Sequence, residues 1–204
     1  MSESTITLHG TRLSGHSHRV ELMLSILGLP YRFIDTPAEV RRSAGFRMLN
    51  PLGQIPVLDD GGLVLCDSNA ILVYLARRYA PGSHWLPDDP VPAAQVQRWL
   101  SIAAGEIRFG PAAARVIRRW GAPGDDVGPA MHTAYRLMPF MEQHLSGRRY
   151  LAADHPTLAD LACYSYIAHA PEGGIALTPY PNIRAWLAQV EALPGFVAMP
   201  VSVS

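Results

Sequence analysis

Residues 50–79 read NPLGQIPVLDDGGLVLCDSNAILVYLARRY, and this stretch decides the fold. Two apolar runs, 55–58 and 63–66, flank Asp59-Asp60-Gly61-Gly62, the turn chemistry of a hairpin. Asp67, Ser68 and Asn69 then offer side-chain oxygens of the kind that cap a helix. From 70 to 79, Ile71, Tyr74, Leu75 and Arg78 recur at helical spacing. The pattern predicts strand, turn, strand and a polar helix start.

Pro56 interrupts the first of these predicted strands. Proline donates nothing to a strand ladder and belongs at an edge or in a functional turn. A cis Ile55-Pro56 bond turns the Ile55 main chain outward for an extended, peptide-like ligand; a trans bond leaves an ordinary edge strand. The neighbours favour a ligand. Gln54 and Ser68 bring donors and a positive helix end suited to a carboxylate, and Asp67 brings an anion suited to an ammonium group.

Upstream, Ile6 and Leu8 alternate as in a half-buried strand, and 9–15 has the composition of a loop. Val20, Met23, Leu24 and Leu27 mark a helix face that ends at Gly28-Leu29-Pro30, and 31–34 reads as a second strand. Strand, helix, strand is a crossover unit with parallel strands. The loop entering the helix is where chemistry belongs, since a helix N-terminus stabilises negative charge by about 0.3–1 kcal/mol. Ser14 and Ser17 are the candidates there, although a serine before a helix is ordinarily a cap. His16 and His18 share the loop without a third metal ligand in view, so no metal is expected.

Together, NPLGQIPVL and DSNAI resemble the glutathione-binding half of the cytosolic glutathione transferases, and the likeness runs along nearly the whole chain. It implies an α/β thioredoxin-like domain of four strands and three helices over 1–80, a linker over 81–90 and an all-α helical domain over 91–204. It implies a cis Pro56, Ile55 pairing with the cysteinyl backbone of glutathione, and Asp67 and Ser68 at its γ-glutamyl end, with Gln54 also among the glutathione-binding residues. Asp67 stands where the family more often has glutamate. LSGHSHRV is similar to the phi and zeta serine stretch, which implies that the Ser14 hydroxyl donates to the glutathione sulfur and leaves Ser17 as the cap. Arg42 first, then Arg41, are implied partners of the glycine carboxylate. The acceptor pocket is implied to be walled by Arg12, Leu13 and His16 and by Arg108, Phe109, Ala112 and Arg115. A homodimer is also implied, with the helix at 70–79 packing on the partner's helical domain.

The chain has 204 residues, enough for two small domains, and a formal net charge of +0, which gives no electrostatic reason to expect nucleic acid or acidic membranes as partners. Its two cysteines, Cys66 and Cys163, match no disulfide or metal spacing. The first eight residues lack the apolar region of a secretory leader, so a reducing cytoplasm is the expected setting.

Beyond the proline-rich 80–90, Val96, Trp99, Leu100, Ala103, Ile107 and Val116 keep a helical period that Gly110-Pro111 should kink or break. A second helix follows Gly128-Pro129 to Leu145, with a kink expected at Pro139. Thr157 and Asp160 form a capping box before the apolar run 161–168, and an amphipathic helix spans 181–193. No Gly-x-Ser-x-Gly elbow supports a hydrolase. The leading expectation is an enzyme that adds glutathione to a small electrophile. Alternatives are isomerisation, dehalogenation or peroxide reduction with the same thiolate, or a binding or regulatory protein that keeps the fold. Thiol-disulfide exchange is disfavoured because serine occupies position 14.

Overall fold

The computed structural model describes residues 6–202; residues 1–5 and 203–204, the outer ends of the two expected domains, lie outside that range. The chain divides into two compact units. One runs through Pro81 and includes Pro194–Pro200; the other holds Gly82–Leu193 and the residues from Val201.

In the first unit, β1 (Ile6–Gly10), α1 (Gly15–Ile26) and β2 (Tyr31–Asp35) form the crossover, with β1 and β2 parallel. Then come α2 (Ala38–Arg42), α3 (Ala44–Leu49), β3 (Val57–Asp60), β4 (Leu63–Cys66) and α4 (Ser68–Tyr79). The sheet order is β2-β1-β3-β4, with β3 antiparallel to both neighbours. The middle helix expected from sequence is two short ones, because Ser43 is extended and caps α3 by accepting from the Phe46 N–H at 3.2 Å. The first hairpin strand begins at Val57 rather than Ile55, so Pro56 stands just before it, and the Ile55-Pro56 bond is cis. Leu8, Leu22, Met23, Leu58, Ile71, Leu72 and Leu75 are wholly buried and make the core, where α1 packs on α4. Tyr74 and Tyr79 both donate to Asp60 Oδ2, fastening α4 to the hairpin turn.

The C-terminal segment belongs to this core. The Gly195 φ is 80°, and a Cβ there would come within 2.9 Å of the Ile26 Cα. His18, buried on α1, holds the Val197 carbonyl through Nε2 at 2.8 Å, so this histidine has a packing role.

The second unit contains α5 (Pro90–Ile102), a π-helix (Ala103–Ala112), α6 (Ala113–Trp120), α7 (Gly128–His144), α8 (Leu158–Ala168), a 3₁₀ turn (Ala170–Gly173) and α9 (Pro181–Glu191). Gly110-Pro111 does not break the helix. Proline lacks an N–H and crowds the carbonyl one turn back, and widening to the π form absorbs both effects. Gly110 also lets α7 approach closely, since a Cβ there would meet the Ala134 backbone nitrogen at 3.1 Å. Likewise α7 continues through Pro139. At the centre, α8 is buried along almost its whole length, and its expected capping box is formed. Asp160 Oδ1 accepts from the Leu151 N–H and the Trp186 indole, and Oδ2 from the Thr157 N–H, all at 2.9 Å. Burial pushes the Asp160 carboxyl up, against the pull of those donors.

Candidate active site

Strand register brings the sequence motifs of the first unit to one end of the sheet. Val57, the first residue of β3, is opposite His9 on one side and Cys66 on the other. Its upstream neighbours Ile55 and Pro56 therefore lie beside the exit of β1, which leads to Ser14, and beside the exit of β4, which leads to Asp67 and Ser68. The N-termini of α1 and α4 open at this same end, and helix N-termini attract anions.

Ser14 is the N-cap of α1, accepting from the Ser17 N–H at 3.3 Å. Accepting that bond leaves its own O–H as a donor. The expectation that Ser17 would be the cap is corrected. Ser17 is fully buried, its Oγ has no hydrogen-bond partner, and it packs so tightly on β1 that a Cβ on Gly10 would lie 2.5 Å from it.

Asp67 caps α4, with Oδ1 accepting from Asn69 and Ala70 at 2.9 and 3.0 Å. Among the described residues it is the one non-glycine with positive φ, at 71°. Such backbone costs about 1–3 kcal/mol and persists where the surroundings enforce it, typically at functional sites. The side chain is exposed. Ser68 beside it is buried at the first turn, and its Oγ accepts from Arg19 Nη1 at 3.3 Å. The same nitrogen donates to Asn69 Oδ1 at 2.8 Å.

Residues 50–56 are braced by Asn50, whose Nδ2 donates to the Gln54 carbonyl at 2.8 Å and whose Oδ1 accepts from the Leu52 N–H at 3.1 Å. Gln54 is exposed and Ile55 half-buried. Gly53, at φ 63°, turns tightly against α2, where a Cβ would meet the Arg41 carbonyl at 3.1 Å. Of the two arginines on α2, Arg42 is exposed, whereas Arg41 is half-buried with an Nε that has no partner.

The expected acceptor residues divide between the two units. Leu13 and His16 are half-buried on the loop and the first turn of α1. Arg12 is turned away onto Phe33 and Glu21. In the helical unit, Arg108 and Phe109 are exposed and stacked at 5.3 Å, while Ala112 is buried. The reading of Arg115 as pocket-facing is corrected. It is 1% exposed and its Nε donates to Glu172 at 3.0 Å, because a buried guanidinium requires a carboxylate partner. A groove of about 560 Å³ between the π-helix and α7 is lined by Phe109, Leu137 and Phe140 with Glu106 and Arg136.

Residues 8–83 match the glutathione S-transferase N-terminal domain and 124–194 the glutathione S-transferase C-terminal domain. Glutathione S-transferase 3 of Zea mays is 31% identical, over 94% of this chain and 91% of its own. The chain belongs to the glutathione S-transferase family.

A crystal structure of a glutathione S-transferase from Pseudomonas fluorescens superposes with a TM-score of 0.89 at 33% identity, covering 96% of this transferase and 99% of that chain. Glutathione S-transferase GstB of Escherichia coli is 29% identical over 97% of this chain and all of its own. Two residues that brace these candidate positions are not signalled by the sequence as doing so. Asn50 was legible as part of the motif, but its bracing role depends on the fold of the loop. Arg19 sits on α1 and reaches a serine 49 positions away, which no local pattern signals. Burial and then the adjacent Asp67 carboxylate push the Cys66 thiol up, which disfavours its thiolate.

Proposed function

We propose that this glutathione transferase lays glutathione along the Ile55 main chain, takes its γ-glutamyl end at Gln54, Asp67 and Ser68, and stabilises its thiolate with the Ser14 hydroxyl. The observation that carries the reading is the register at Val57, which gathers two helix N-termini and the cis Pro56 at one sheet end. Asp67 has one carboxylate oxygen engaged in the cap, leaving the other for an ammonium group. Arg41, with its unpartnered Nε, stands ahead of Arg42 as partner for the glycine carboxylate.

The chemistry needs no base at the sulfur. The hydrogen bond from Ser14 and the helix end favour thiolate over thiol, and the released proton goes to solvent. The thiolate then forms a carbon–sulfur bond to an electrophile held beside it, which either expels its leaving group, chloride from a chloronitrobenzene, or opens a multiple bond whose carbanion takes a proton from solvent, with proximity supplying much of the rate. The serine assignment is of the phi and zeta kind.

The working form is a cytoplasmic homodimer. Among the described residues no helix is long and apolar enough to cross a membrane. Met48 and Leu52, 86% and 77% exposed at the end of α3 and in the loop after it, suit a surface covered by a second copy.

A glutathione thermal-shift titration, paired with conjugation of a chloronitrobenzene, tests the reading on wild type and Ser14→Ala. Loss of a charge-assisted hydrogen bond, worth about 1.5–3 kcal/mol, lowers kcat about 10- to 100-fold while glutathione still binds. Light scattering on the same preparations gives twice the chain mass. Binding without turnover in wild type supports the regulatory alternative, and unchanged turnover in Ser14→Ala removes the serine from the chemistry.

A further inference from the structure

The loop that carries Ser14 is held at Arg12 as well as by the cap at the helix start. Arg12, two residues before the serine, lays its guanidinium over the Phe33 ring, 3.8 Å from the centroid, and forms an ion pair with Glu21. Glu21 lies two turns into α1 with its side chain 12% exposed, and the same carboxylate oxygen accepts from the Tyr31 hydroxyl at 2.8 Å. Tyr31 and Phe33 are alternate residues of β2 and share a face. The Phe33 ring also abuts Gly10, where a Cβ would meet it at 3.4 Å. The tip of the loop is thereby clamped to α1, to β2 and to the end of β1.

We propose that Arg12 is a positioning residue for Ser14, and that the Arg12–Glu21–Tyr31 clamp sets where the serine hydroxyl meets the glutathione sulfur. The inference rests on the reading of Ser14 as the thiolate's donor. It takes Arg12 out of the acceptor pocket, because a guanidinium neutralised by Glu21 and stacked on Phe33 offers little to an anionic acceptor. An exposed ion pair contributes little to stability, and Arg12 is 54% exposed, so the purpose of the clamp is geometric. Displacing a reacting group by about 1 Å can lower a rate by as much as 100-fold.

Arg12→Ala, Glu21→Gln and the double variant are compared by titrating the bound thiol through its thiolate absorbance and by varying each substrate in turn. Arg12→Ala should raise the bound-thiol pKa by about half to one unit and lower kcat about 3- to 10-fold, with both KM values within about twofold. Glu21→Gln keeps the fold and should reproduce part of the shift, and the double variant should be no worse than Arg12→Ala. Arg12→Lys should recover part of the loss. An unchanged thiol pKa with a raised acceptor KM, or losses that add, overturns the proposal and returns Arg12 to the acceptor site. Ser14→Ala separates the two readings. If it leaves the thiol pKa unmoved, the serine assignment fails; if it raises that pKa while Arg12→Ala does not, the clamp alone fails.

Discussion

Near the start of α4 and of α8 of this transferase an aspartate accepts backbone N–H groups, Asp67 as the cap of α4 and Asp160 as the third residue of α8, and the two aspartates have different uses. Asp160 at α8 is wholly buried, and both its oxygens are engaged by donors from 151, 157 and 186. Asp67 at α4 is exposed, uses one oxygen for its cap, and keeps a backbone of positive φ. A satisfied carboxylate in the interior joins chain segments. A half-engaged one on strained backbone keeps an oxygen for a ligand under the proposed function, and on that reading the difference separates a folding device from a binding device where the residue type alone does not.

The comparison breaks most readily at Asp160. Asp160→Ala leaves the Leu151, Thr157 and Trp186 donors buried without an acceptor, each at about 1–3 kcal/mol. Urea unfolding should show a loss of about 3–5 kcal/mol, with glutathione affinity little changed in whatever protein remains folded. A loss under about 1 kcal/mol would remove the distinction.

Asp67→Gly tests the other side. Glycine gives up only a few tenths of a kcal/mol as an N-cap and tolerates positive φ, so stability should stay within about 1 kcal/mol of wild type. Glutathione affinity by calorimetry should fall about tenfold, which corresponds to about 1.4 kcal/mol. Equal affinity in the variant would make Asp67 a cap and nothing more.

A third carboxylate sharpens the contrast with a smaller effect. Burial pushes Glu172 up, but donors from Ser202, His169 and Arg115 outweigh it and bring the carboxyl down from 4.5 to about 2. A folded value below the unfolded one contributes stability that is fully present above about pH 4.5 and is lost as pH falls toward about 2. Thermal melts through that window should show the decline, and Glu172→Gln should flatten it. An unaltered slope would mean that other carboxylates govern acid unfolding.

Much of this was legible in the chain itself. The hairpin, the crossover, the cap at α4 and the box at α8 each rest on residues within a few positions of one another, and all formed. Departures came where neighbours in space compete. Ser43 split the middle helix by capping its second half. Gly110-Pro111 widened a helix instead of breaking it, and Gly110 lets α7 pack closely at the same place. The cap fell to Ser14 because Ser17 was buried against Gly10.

What the sequence alone determined is the set of local conformations and the two linked motifs, since turn, cap and period are read over spans of two to seven residues. Tertiary structure alone decided where the long charged side chains went: Arg12 to Glu21, Arg19 to Ser68 and Asn69, Arg115 to Glu172. A guanidinium on a flexible stem takes whichever acceptor the fold delivers, and those acceptors lie 9, 49, 50 and 57 positions away. Only closure of the core brings such partners into reach.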